Sequence, residues 1–175
     1  MSIVATYARM DEESRSSYCG NANWMEALSD EDLSVAQVID IDKACDGLVW
    51  LLERVPQSAP PTEGGDFVLK RNYASLLRGE GGQKEPSLKA PYGPAFWLNA
   101  PQVAAVASWL QGVTPGQLRQ AYDPSAMQRD EVYPEIWEDE GQAGLEEYLL
   151  PYYASLQSFF AEANRSEQGI LVYFT

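Results

Sequence analysis

Asp42, Asp46 and Trp50 recur at i, i+4 and i+8 in the stretch DIDKACDGLVWLL, residues 40–52, with Lys43 beside them. On a helix that spacing puts all three on one face, apart from an apolar stripe of Ile41, Cys45, Leu48, Leu52 and Val55. Two like charges held close raise one carboxyl pKa and a neighbouring indole excludes water, so such a face has the makings of a general acid at neutral pH. The plainer expectation is a solvated acidic face softened by Lys43, because most charged helical residues simply meet water. A second cluster, RDEVYPEIWEDE at 129–140, interleaves acids with Tyr133, Ile136 and Trp137. Oxygens from Glu135, Glu138 or Asp139 suit a hard cation such as Mg²⁺, but their spacing matches no EF-hand loop, so no metal site is expected. Tyr133, Ile136 and Trp137 are expected to anchor this loop to the core while its acids stay wet.

The chain contains no histidine, which removes Ser-His-Asp and Cys-His catalysis, His-ligated zinc and imidazole acid–base chemistry together. Its two cysteines, Cys19 and Cys45, are far apart and form no CxxC, so they read as reduced thiols and not as zinc ligands. Cys45 lies on the apolar stripe, where burial would hold the thiol protonated and inert; Cys19, in SSYCGN, is the more exposed, with no histidine or nearby cation expected to activate it. The GEGG at 79–82 is followed by no helix start of the kind a phosphate loop needs and reads as a turn. No cofactor is expected.

The elements that must position these residues follow from periodicity and punctuation. IVATYA near the start and GILVYFT at the end read as strands of one sheet, at 3–8 and 170–174, the last of them central. Helices are expected at about 41–55, 101–112 and 142–164, the last carrying a stripe of Leu145, Leu149, Tyr152, Leu156, Phe159 and Ala163 that Pro151 should kink or divide. A weakly patterned helix is plausible between Asp11 and Leu28, and SDED, with Ser29 as N-cap and Asp32 at N3, opens a short helix through Val38. Asn99 with Gln102, and Thr114 with Pro115 and Gln117, each announce a helix start. Residues 56–66 form a Pro/Gly loop, 67–78 a short helix, 79–95 a long surface excursion, and AFWLN a strand at a sheet edge. The chain thus reads as one α+β domain, helices packed on a small mixed or antiparallel sheet.

Twenty-six acidic against twelve basic side chains give a net charge of -14, which disfavours nucleic acid and anionic membranes as partners. The excess is uneven. Eleven acids and two bases between Asp11 and Glu53 give -9, nine acids and one base between Asp123 and Glu147 give -8, and the stretch between, with seven bases and four acids, carries +3. Acidic blocks of this kind keep a protein in solution and also suit docking to a basic protein. With no apolar run near the roughly 20 residues of a membrane span and no secretory pattern at MSIVATYARM, a cytoplasmic location is expected.

Four stretches, DIDKACDGLVWLL, PYGPAFWL, EVYPEIWEDE and the C-terminal helix closing on GILVYFT, occur in an order and at distances that resemble the YfbM-like family of small bacterial proteins of unknown function. The resemblance covers most of residues 1–175 and implies an α+β domain with helices on a small sheet. It implies no activity and no catalytic residues. Cys45 stands where a bulky aromatic would be expected in the family's helix pattern.

Three functional expectations remain, the last a structural or regulatory dimer built on an aromatic surface. The first is a non-catalytic binding domain, specifically an immunity-type protein that masks a basic toxin domain, with Asp42, Asp46, Glu135, Glu138 and Asp139 steering the partner and Trp50 and Trp137 as anchors. The alternative is a carboxylate-dependent hydrolase or transferase using Asp42, Asp46 and Glu135.

Overall fold

The computed structural model describes residues 2–29, 37–55 and 73–175. Both chain ends enter one sheet. Strand β1 (Ala5–Met10) lies antiparallel to β5 (Gly169–Phe174), with Ala5 opposite Phe174 and Met10 opposite Gly169. The sheet runs in the order β2-β1-β5-β4-β3 with every pairing antiparallel; β2 is Val38–Asp40, β3 Gln83–Ala90 and β4 Gly93–Leu98. β5 is central, as its continuous apolar run requires of a strand covered on both faces. The β1 alternation sends Ala5 and Tyr7 into the larger core and Ala8 and Met10 into the smaller one on the opposite face.

The larger core is built by α3 (Ala44–Arg54), α5 (Ala100–Gly112) and α9 (Leu150–Arg165). Capping boxes open α5 at Asn99/Gln102 and α6 (Pro115–Ala121) at Thr114/Gln117, as their sequences announce. Asp123 caps α7 (Pro124–Arg129) through the Ala126 amide. α8 (Trp137–Ala143) passes through a π-helical turn (Gly144–Leu149) into α9, where Pro151 sits in the first turn. The smaller core lies beneath α1 (Glu12–Tyr18) and α2 (Trp24–Ser29), with Trp24 and Tyr173 edge-to-face at 4.9 Å.

Several expectations need correction. The excursion at 79–95 is largely a β-hairpin, β3 and β4, whose three prolines and register shift between Glu85 and Lys89 hide its alternation. AFWLN belongs to β4, which lies inside the sheet between β5 and β3, not at its edge. The helix expected at 11–28 is two helices, broken near Gly20 at φ +88°. Val38 opens a strand where a helix was expected to close, and β1 runs two residues later than expected, Ala5–Met10. Residues 30–32, 56–66 and 67–72, which carry the rest of the SDED capping box, the Pro/Gly loop and half of the expected helix at 67–78, lie outside the described residues; of that helix α4 (Tyr73–Leu76) is described.

Candidate functional site

The opening residues of DIDKACDGLVWLL are a strand end and a turn, not a helix. Asp42 adopts the left-handed conformation at φ +46°, and the Asp40 carboxylate accepts the Asp42 amide at 3.2 Å, a local turn that aspartate forms readily. Helix α3 begins only at Ala44, so Asp42 and Asp46 do not share a helical face at i, i+4. Their partners differ accordingly. The Asp42 carboxylate accepts a hydrogen bond from the Tyr148 hydroxyl at 2.9 Å, and that hydroxyl accepts the Lys43 amide at 3.1 Å. Asp46 instead pairs with the Arg78 guanidinium at 2.9 Å. The close carboxylate pair that would raise one pKa is not formed.

Trp50 is also placed differently from the sequence expectation of an outward anchor, for it is only 8% exposed. Its indole N–H donates to Asp130 at 3.0 Å, and Arg54, whose guanidinium lies 3.5 Å from the ring centroid, bonds the same carboxylate at 3.1 Å. From Ala44 to Leu52 every residue of α3 but Asp46 is buried, so the helix has no broad polar face. Cys45 is part of this packing. Burial, which is the larger effect, pushes its thiol up to about 12, and the hydroxyl of Tyr7 lies 3.7 Å away.

In the second cluster Trp137 is fully buried and donates its indole N–H to the Val132 carbonyl at 2.6 Å. It rests on Gly47, where a Cβ would come within 2.7 Å of the ring. Trp137 thus anchors the loop to the core and is not available as a surface contact. Glu135, at φ +62°, Glu138 and Asp139 are exposed, the last two with Glu140 in the first turn of α8 where negative charge is favourable. Among the described residues no three acidic or thiol side chains converge as metal ligands would.

What the sequence reading missed is a cleft of about 580 Å³ that wraps the outer edge of β2. Thr6 pairs in register with Asp40 on one side and Tyr173 on the other, so a carboxylate and two hydroxyls form a row across β2, β1 and β5. Ile39 of β2 and Tyr152 and Ser155 of α9 also line it, and among the described residues no lysine or arginine takes part. Tyr148, whose hydroxyl donates to Asp42, stands edge-on to Tyr152 at 5.3 Å, so Asp42 lies beside the cleft lining and not within it. Burial first, then Asp42 and Asp40, raise the Tyr152 hydroxyl above its ordinary value. Burial and Asp40 push Tyr173 up to about 12 against the opposing hydrogen bond from Thr6. Both phenols therefore stay neutral at physiological pH. Among the described residues neither Asp40 nor Asp42 has an ion-pair partner, whereas Asp46, Glu85, Asp130 and Glu146 each face an arginine.

Cys19 is exposed, and its thiol lies 3.9 Å from the Glu85 carboxylate. The expectation of no nearby cation needs amending, since Arg15 is bonded to both Glu85 and Glu12 over the face of Trp97. That guanidinium is already matched by two carboxylates.

The architecture is thus an α+β domain with a five-stranded antiparallel sheet and, at one sheet edge, a cleft that Asp40 lines. A family model described as a domain of unknown function, DUF1877, matches residues 1–173, and the chain belongs to that family. Among solved structures, a protein of unknown function, YfbM from Escherichia coli, is similar in fold, with a TM-score of 0.62 and 20% sequence identity over 98% of this chain and 99% of that one. No curated protein matches the chain. Among the described residues no helix is long and apolar enough to cross a membrane.

Proposed function

We propose that this protein is a binding domain for a basic protein and that the cleft at the β2 edge receives a cationic side chain of that partner. The observation that carries the reading is Asp40, which lines a tyrosine-walled cleft, with Asp42 beside it on Tyr148, neither carboxylate having an ion-pair partner among the described residues. A lysine or arginine entering there meets carboxylate oxygens, neutral phenols and aromatic ring edges and faces, a set that favours cations over anions. The wider charge of -14 would speed encounter with such a partner, and the exposed Glu135, Glu138 and Asp139 would contribute to steering, not to contact within the cleft. In its most specific form the partner is a bacterial toxin domain and the protein its immunity factor. The carboxylate-enzyme alternative loses the proximity it relied on, since Asp42 holds Tyr148 and Asp46 holds Arg78.

Co-purification from the native host at low salt tests the proposal. Recovery of a basic protein with the wild type, and its loss with Asp40→Asn/Asp42→Asn, is the expected result. Recovery of the free protein alone, or equal retention by both, counts against it.

A further inference from the structure

Among the described residues strand β2 ends the sheet, and the phase of its pairing says which of its backbone groups β1 does not use. The Ile41 amide bonds the Ala5 carbonyl at 3.1 Å, and on the far side of β1 Val4 and Thr175 exchange two bonds at 2.7 and 3.0 Å. Antiparallel ladders alternate, so Tyr7 directs its amide and carbonyl to Ile39 while Thr6 and Ala8 direct theirs to β5. Val38 and Asp40, opposite Ala8 and Thr6, therefore point their N–H and C=O groups away from the sheet, and among the described residues no backbone group pairs with them. The cleft straddles this edge: Asp40, Thr6 and Tyr173 line it on one face of the sheet, Ile39, Tyr152 and Ser155 on the other. An extended segment laid along β2 would complete the ladder and send alternate side chains into the two halves.

We infer that the open edge of β2 takes an extended, basic segment of a partner protein as a sixth strand, with a lysine or arginine directed at Asp40 and Asp42. This rests on the reading of a basic partner and adds the mode of recognition. Charge decides the occupant. A second copy of this chain added at the same edge would bring another Asp40 and Asp42 against the first pair, and like charges on facing edges oppose pairing. A basic strand reverses that term.

The probe is a fluorescent octapeptide of alternating arginine and valine, compared with two analogues N-methylated on the arginines alone or on the valines alone. A strand has one hydrogen-bonding edge toward its neighbour, so one analogue should lose binding roughly tenfold or more while the other keeps it. The amides of Val38 and Asp40 should gain protection from hydrogen exchange on binding the parent peptide. Val38→Pro should weaken binding more than Val38→Ala does, because both lose the packing of Val38 on the smaller core while only proline removes the outward amide that β1 does not use. Failure of the parent peptide to bind, equal binding by both analogues, or unchanged exchange at Val38 and Asp40 would overturn the inference. So would a concentration-dependent dimer that Val38→Pro abolishes, which would assign the edge to a second copy. If all three peptides bind alike but lose affinity with Asp40→Asn/Asp42→Asn, strand addition falls and the basic-partner reading stands. If peptide binding ignores that double substitution, both fall.

Discussion

Truncation of Trp50 to alanine should cost about 3–5 kcal/mol of folding stability. The indole is 8% exposed, so its removal opens a cavity where α3 meets the end of α7. Two named contacts fall within that total. The Arg54 guanidinium over the ring is worth about 0.5–1 kcal/mol at a half-exposed site, and the indole hydrogen bond to Asp130 about 1 kcal/mol because Arg54 and water can still satisfy that carboxylate. Trp50→Phe keeps most of the buried surface and loses the N–H, so its cost should be about 1–2 kcal/mol. Urea titration followed by far-UV circular dichroism measures both without relying on the tryptophan signal that the substitution removes. For a chain of this size each 1 kcal/mol moves Tm by about 2–4 °C, so the alanine variant should melt at least about 6 °C lower. A loss below about 1 kcal/mol for Trp50→Ala would refute the reasoning and return that side chain to the surface, where it could contact a partner.

Leu48, fully buried on α3, should lose about 2–5 kcal/mol on substitution by alanine, read by the same titration. Of the two thiols, Cys19 should react with a disulfide reagent in the native protein and Cys45 only after unfolding, since one is exposed and the other is buried with its thiol pushed up to about 12. Stability should also decline above about pH 10. Tyr7 and Tyr153 are raised by burial and Tyr173 is pushed up to about 12, so the unfolded chain releases these protons first; the stabilisation is intact below the ordinary tyrosine value and lost as pH climbs toward the folded one. Denaturant titrations from pH 8 to 11.5 would show it, and a flat profile would mean that these phenols ionise freely in the native state.

Local signals proved the most legible in the sequence. Asn99 with Gln102 and Thr114 with Gln117 form the capping boxes their spacing announces, because a cap is an interaction among residues three apart and needs no tertiary information. The unbroken apolar run of GILVYFT identified the central strand for a similar reason. The stripe of the C-terminal helix was read nearly in phase. It placed Tyr152 inward, but the wide π-helical turn carries the stripe onward from Leu145 and Leu149 to Tyr153, which leaves Tyr152 free to line the cleft. The hairpin of β3 and β4 was hidden by Pro86, Pro91 and Pro94, residues that ordinarily argue against strands and here sit at an edge, in the connecting turn and near a strand end. The spacing of Asp46 and Trp50 suggests one outward face, but Trp50 is covered by Arg54 and bonded to Asp130 at the end of α7, a tertiary contact that spacing does not show. The cleft itself could not be seen from spacing, since Thr6, Asp40, Tyr152 and Tyr173 come from four separate elements that only the sheet order brings together.

The central claim is that Asp40 and Asp42, and not the acidic surface at large, recognise a basic partner. Association kinetics of the co-purified partner with wild type, Asp40→Asn/Asp42→Asn and Asp46→Asn, each over a range of salt, test it most directly. The account predicts that the double variant associates more slowly, dissociates faster and loses part of its salt dependence, while Asp46→Asn, whose carboxylate already serves Arg78, stays close to wild type in its rates at moderate salt. Equal rates for all three proteins would contradict the account, and a larger effect from Asp46→Asn than from the double variant would place the docking surface on the other side of the Asp42 turn.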